Sequence, residues 1–190
     1  MKRTQRNLSI IITAIALAYL VLIRLPLWFA LGAAALLVVT GIVLAILGRD
    51  FMIGRYRASR REWQQALTRY QRFEKKLIKS RLGVLLAPLY LSIYSFDGVA
   101  VVRNNIGQAL MNLKELDQAE ASLRSALQRD PLYPLPYLNL GFIAAMRHQP
   151  ELAEREMRRA VQLGYSPTIA EKLLRSALAE ANAEVGRLME

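Results

Sequence analysis

The chain has no cysteine and a single histidine, His148. Disulfides and thiolate metal sites are therefore excluded, as are histidine-rich metal sites. Acid is scarce in the first half. Residues 1–97 carry 4 Asp/Glu against 15 Lys/Arg, whereas residues 98–190 carry 11 of each, so the net charge of +11 lies entirely before residue 98. A nucleic-acid binder would carry its basic face on the folded domain. Basic residues that bracket apolar runs act instead as membrane topology signals, and no nucleic-acid partner is expected. The sequence also lacks a phosphate-binding glycine loop, a metal-ligand spacing and a nucleophile elbow. It therefore predicts no enzyme, no cofactor and no metal.

Two charge-free apolar runs stand out, residues 8–23 and 27–47, separated by Arg24, Leu25 and Pro26. At ~1.5 Å per residue the second run reaches about 31 Å, the thickness of a bilayer core. The first is shorter and borrows Leu25, with Arg24 snorkelling toward headgroups. The expectation is a transmembrane hairpin over residues 1–48, with spans at about 8–25 and 27–47. A cleavable signal peptide ending near Ala16-Leu17-Ala18 and a pair of buried core helices are competing readings. Lys2, Arg3 and Arg6 precede the first run, and Arg49, Arg55, Arg57, Arg60 and Arg61 follow the second. The positive-inside bias puts both termini and residues 49–190 in the cytoplasm, as expected for a bacterial inner membrane or thylakoid-type membrane. Ala14/Ala18 and Gly41/Ala45 have the small-residue spacing that permits close helix packing.

Residues 49–99 form a basic, partly apolar zone. Residues 59–80 read as an amphipathic helix with Trp63, Ala66, Leu67, Tyr70, Phe73, Leu77 and Ile78 on one side. Arg55, Arg57, Arg60, Arg61, Arg69, Arg72, Lys75 and Lys76 are candidates for anionic lipid headgroups, each worth roughly 1 kcal/mol near the surface. The apolar stripe could equally pack on the folded module. Residues 82–94 carry no charge and one proline, too short a stretch to span as a helix. Core, interface and docking surface all stay open for it. Asp97-Gly98 then punctuates the chain.

The strongest signal is a period of 34 residues. Asn105-Ile106-Gly107 recurs as Asn139-Leu140-Gly141, Ala119 as Ala153, Leu123 as Met157 and Ala126 as Ala160. Glycine within a helix costs about 1 kcal/mol against alanine, so Gly107 and Gly141 predict a closely passing second helix. Asp130-Pro131 stops one helix and starts the next turn. With these residues the chain resembles the tetratricopeptide-repeat family. Residues 100–133 match as Ile106-Gly107, Leu110, Ala119, Leu123, Ala126 and Pro131, and residues 134–167 as Tyr137, Leu140-Gly141, Ala144, Ala153, Met157 and Ala160. Lys114 and His148 stand where the family has a turn glycine, and Gly164-Tyr165 where it has proline. Trp63, Ala66, Tyr70 and Phe73 look like the second helix of a further unit. Ala66 precedes Ala119 by 53 residues, one period plus an insert of nineteen. Residues 168–190 look like a solvating cap helix.

The expected fold is all-α: a transmembrane hairpin, then a short helical-repeat domain. The resemblance implies a groove lined by the first helix of each unit, which binds a protein partner. The inward candidates are Val101, Asn104, Asn105, Gln108 and Met111, then Leu135, Leu138, Asn139, Phe142 and Met146. Asn105 and Asn139 are candidates to hold a peptide backbone, since an amide both donates and accepts. The partner is expected to be a membrane protein sooner than a soluble one, and self-association stays open. The function expected is a non-enzymatic membrane-tethered scaffold or adaptor that aids assembly of a membrane complex. The alternative is a permanent accessory subunit of such a complex.

Overall fold

The structure is a computed structural model that describes residues 3–23, 26–79 and 94–188. The expected turn at Arg24-Leu25 and nearly all of the uncharged stretch 82–94 fall outside these residues. The described chain is all-α: α1 (Arg3–Ile23), α2 (Leu27–Ser59), α3 (Trp63–Lys79), α4 (Gly98–Asn112), α5 (Leu116–Arg129), α6 (Pro134–Met146), α7 (Pro150–Gln162) and α8 (Pro167–Leu188).

Helix α1 covers the first apolar run and α2 starts with the second. Ile15 and Leu17 of α1 and Leu36, Leu37 and Ile46 of α2 are all exposed. An added Cβ on Gly32 or Gly41 would meet nothing within 4 Å. Among the described residues no single helix is both long and apolar enough to cross a membrane. One pair of segments, Phe29–Val43 and Gly48–Ser59, bent by 59° to each other, passes the length and composition test together.

Among the described residues the packed part of the chain begins at Gly48. Helix α2 lies on α3, α4 on α5, and α6 on α7, while α3–α4 and α5–α6 contacts join these pairs in a row. The three pairs share one register. Gly54, Gly107 and Gly141 stand on the first helix of each pair. A Cβ added to Gly54 would lie 2.6 Å from Tyr70 Cε1, to Gly107 2.7 Å from Leu123 Cγ, and to Gly141 2.6 Å from Met157 Cγ. Twelve residues after each glycine comes a fully buried alanine, Ala66, Ala119 or Ala153. Seven residues after it comes a left-handed residue, Arg61 at φ 60°, Lys114 at φ 64° or His148 at φ 57°. The turn hydrogen bonds coincide as well. Glu62 N–H donates to Arg57 C=O at 3.0 Å, Glu115 N–H to Leu110 C=O at 3.0 Å, and Gln149 N–H to Ala144 C=O at 2.9 Å. Together with the left-handed residue this is the six-to-one closure that satisfies a helix C-terminus.

The predicted helix over residues 59–80 is corrected at its start. Ser59 ends α2, Arg60 and Arg61 make the turn, and α3 begins at Trp63. The first helix of this unit is therefore the end of the same helix that carries the apolar run. Ala66, Leu67, Tyr70, Phe73 and Leu77 are buried as the stripe predicts, but Ile78 is exposed. Phe51 of α2 stacks into them, with ring centroids 5.8 Å from Tyr70 and 5.5 Å from Phe73. Asp50 is 5% exposed. Its carboxylate accepts from Arg69 Nη1 at 3.1 Å and Lys76 Nζ at 2.5 Å, pinning α2 to α3. Burial pushes the Asp50 carboxyl up, but these two cations outweigh it and hold it below 3.8.

Ion pairs also link successive pairs. Arg103 Nε donates to Glu74 at 2.7 Å, and Arg147 donates to Glu120 and Asp117, each at 2.5 Å. At the start of α4, Asp97 accepts from Ala100 N–H at 2.8 Å as an N-cap and from Arg129 Nε at 3.0 Å. At the end of α5, Asp130 accepts from Ser95 Oγ at 2.5 Å. Helix α8 packs on α6 and α7 through Ala170, Leu173, Leu174 and Ala177. Ile169, near the start of α8, is half exposed at 50%.

Candidate partner-binding groove

The first helices of the three pairs all line one open cavity of about 680 Å³. That volume falls within the range of ligand sites. Each helix supplies the same two positions, one turn apart. These are Phe51 and Arg55 from α2, Asn104 and Gln108 from α4, and Leu138 and Phe142 from α6. The spacing of four places both side chains of a helix on one face. Val101, Asn105 and Met111 of α4 and Leu135 and Asn139 of α6 complete the two central walls. Leu173 of α8 and the tyrosines Tyr94, Tyr133 and Tyr165 also line the cavity, Tyr133 from a buried position. The Tyr94 and Tyr165 rings are 6.5 Å apart. Burial, then the neighbouring Tyr94, raises the Tyr165 hydroxyl above 10.0.

Nine of the ten residues expected to face inward line this cavity, and Met146 does not. Met146 is the last residue of α6, where the chain turns away at Arg147. The expected roles of the asparagines change more. Asn105 Nδ2 donates to Val101 C=O at 2.8 Å, so its donor is spent on its own helix. Asn139 instead pairs with Asn104, Nδ2 to Oδ1, at 2.9 Å. Both are buried, at 7% and 5% exposure. This bond leaves the Asn104 amide nitrogen and the Asn139 amide oxygen unspent, along with the second N–H of Asn139. No other hydrogen bond to the two side chains occurs among the described residues.

The basic residues assigned to lipid divide into several roles. Arg72 and Lys75 are exposed. Arg69 and Lys76 hold Asp50, Arg57 is paired with Glu62 at 2.5 Å, and Arg60 lies over the Tyr56 ring at 5.1 Å. Arg61 is the turn residue. Arg55 faces the groove. Among the described residues the cavity wall holds no Asp or Glu and no acid pairs with Arg55.

Sequence reasoning did not assign Phe51, Tyr94, Tyr133, Tyr165 or Leu173 to the groove, and it gave Arg55 to lipid headgroups instead. Phe51 and Arg55 were within reach. They lie 53 residues before Asn104 and Gln108, the offset already visible between Ala66 and Ala119. The tyrosines stand outside helix interiors, where no periodicity marks them. A scan against protein-family models finds no match to this chain, and a search of curated proteins finds none either.

Proposed function

We propose that the chain is a membrane-tethered scaffold of the tetratricopeptide-repeat type, which binds a protein partner in the groove and has no catalytic role of its own. The observation that carries the binding reading is the matched pair of positions on α2, α4 and α6, which together line the cavity. The repeat reading is supported by the shared register of Gly54, Gly107 and Gly141 with their covering side chains. The membrane reading rests on the uncovered apolar side chains of α1 and α2. Contiguous apolar surface of this extent is foreign to a free soluble monomer. Cationic residues on both flanks of the apolar runs support a groove on the cytoplasmic side, by the positive-inside bias.

The full chain, purified in mild detergent, tests the reading. Phe142→Asp puts a charge on a half-buried wall position and should abolish co-purification of the partner while helicity is kept. Unchanged co-purification would move the site out of the groove. Gly32 and Gly41, open to any approaching helix, favour a second reading in which other spans pack permanently on α1 and α2. Fixed stoichiometry with one complex, resistant to salt, would select that accessory-subunit role over the adaptor. A C-terminal reporter active only on the far side of the membrane would overturn the orientation.

A further inference from the structure

Helix α3 packs on α2 and α4 and leaves one flank open. Arg72, Lys75 and Lys79 are exposed there, and steps of three and four residues put them on one face. Among the described residues none of the three has an acidic partner. The one acid of α3, Glu74, is spent on Arg103 at 2.7 Å. Ile78 stands one turn past Lys75 and is 56% exposed. The Asp50 clamp fixes where this flank lies. Lys76, between Lys75 and Lys79 in sequence, meets Asp50 at 2.5 Å. Asp50 follows the charge-free run 27–47 by three residues, ~4.5 Å of helix. The cationic end of α3 is therefore level with the edge of that run. The far end of α3, near the turn at Arg61, exposes the uncharged Gln64 and Gln65. Between Phe29–Val43 and Gly48–Ser59 the chain bends by 59°, so α2 and the helix α3 returning along it are inclined to the apolar stretch.

We propose that this flank, Arg72, Lys75 and Lys79 with Ile78, rests on anionic lipid headgroups of the bilayer that holds the apolar part of α2. The inference rests on the proposed membrane tether and adds a second, reversible attachment to it. The charges are complementary, because anionic headgroups supply the negative charge that the flank lacks. An inclined helix turns one flank toward the bilayer, and this flank is the one that a headgroup layer attracts. Lysine and arginine reach headgroups with their stems along apolar surface, and Ile78 enters the acyl boundary beside them. The place of the flank at the edge of the apolar run favours lipid over an acidic protein. Docking there holds the repeat module close against the membrane instead of leaving it free to tilt.

The test exploits the absence of cysteine from the chain. Gln71→Cys, exposed one turn before Lys75, carries a bimane label, and Gln118→Cys, exposed on α5, carries the control label. The full chain is placed in nanodiscs of phosphatidylcholine alone or mixed with phosphatidylglycerol, and quenching by the neutral quencher acrylamide is read. Three cations near an anionic surface should favour the docked flank by about a hundredfold. The Gln71 label should thus lose most of its quenching in phosphatidylglycerol, while the Gln118 label is unchanged. Salt at about 1 M, which cuts the Debye length to about 3 Å, should restore it. Arg72→Gln combined with Lys75→Gln and Lys79→Gln should restore it as well, and Ile78→Ser should restore part of it. Equal, strong quenching of the Gln71 label in both lipids overturns the docking and leaves the membrane tether intact. Weak quenching in both lipids, unmoved by salt, means that protein covers the flank and overturns the docking too. Protection that survives the triple glutamine variant overturns the role of the three cations, and protection undiminished by Ile78→Ser overturns that of Ile78. Recovery of the chain outside the discs in both lipids removes the membrane reading and this inference together.

Discussion

The Tyr70 ring lies over Gly54, with its Cε1 2.6 Å from where a Cβ would stand. Leu123 and Met157 take the same position over Gly107 and Gly141, and the three contacts differ in how far the covering side chain can yield. Alanine in a helix gains about 1 kcal/mol over glycine, while overpacking a close contact costs about 1–3 kcal/mol. Tyr70 is a rigid ring and Leu123 is fully buried, so Gly54→Ala and Gly107→Ala should each destabilise by about 1–2 kcal/mol. Met157 has more rotatable bonds, but the contact is at its Cγ and the Ala153 carbonyl oxygen lies 3.1 Å from the added Cβ, so Gly141→Ala should destabilise least of the three, by about 1 kcal/mol. Chemical denaturation of the three variants checks the order.

The left-handed turns predict changes in the opposite direction. Lys114 and His148 hold positive φ without being glycine. That conformation costs a side-chain-bearing residue roughly 1–2 kcal/mol, partly offset by the unfolded-state entropy glycine adds. Lys114→Gly and His148→Gly should each stabilise by about 0.5–1 kcal/mol. A lower melting temperature for either would show that its side chain makes a compensating contact.

Groove variants must respect burial. Leu138 is only 6% exposed and packs with Met157, Ala160 and Ala170. A charge there should cost several kcal/mol of stability and confound any binding result. Gln108 is exposed at the cavity wall. Gln108→Glu should leave the melting temperature within a degree or two and place an acid one period from Arg55. Thermal melting checks this, and a fall of more than a few degrees would show that the Gln108 side chain is packed in the wall.

Acid should loosen the module from its carboxylates inward. Burial pushes Asp97 up, but Arg129 and the Ala100 and Val99 amides outweigh it and hold it below 3.8. Hydrogen bonds from Arg147 and Arg124 hold Glu120 below 4.5. A carboxyl depressed on folding contributes stability that is complete above its unfolded value and lost as pH falls through the folded one. Melting temperature should therefore be flat from pH 7 to about 5 and fall below about 4. Asp97→Asn should start lower, through loss of the Arg129 pair, and show a shallower fall. An identical slope would assign the acid sensitivity to other groups.

What the sequence disclosed follows from what a period can carry. Gly107, Ala119 and Leu123 recur because helix pairs in a row must pass equally close, so the 34-residue offset made α4 to α7 and nine groove residues legible. Gly54 obeys the same constraint, but the insert of nineteen residues shifts its register and the apolar run upstream masks its helix. The Asn104–Asn139 pair was not legible, because Asn105 is the residue in register with Asn139 and only side-chain geometry shows which of the two neighbours reaches it. The turn arginine, Arg61, resembled its basic neighbours in composition and differs only in φ.

Helix α2 carries both the uncovered apolar stretch and the first wall of the groove, with a bend of 59° between Phe29–Val43 and Gly48–Ser59. The direction the groove faces is therefore set by helical phase, not by a linker. Each residue added or removed between Val43 and Gly48 would turn the module by about 100° around the α2 axis, leaving every contact within it intact while aiming Arg55 and the cavity at a different neighbour.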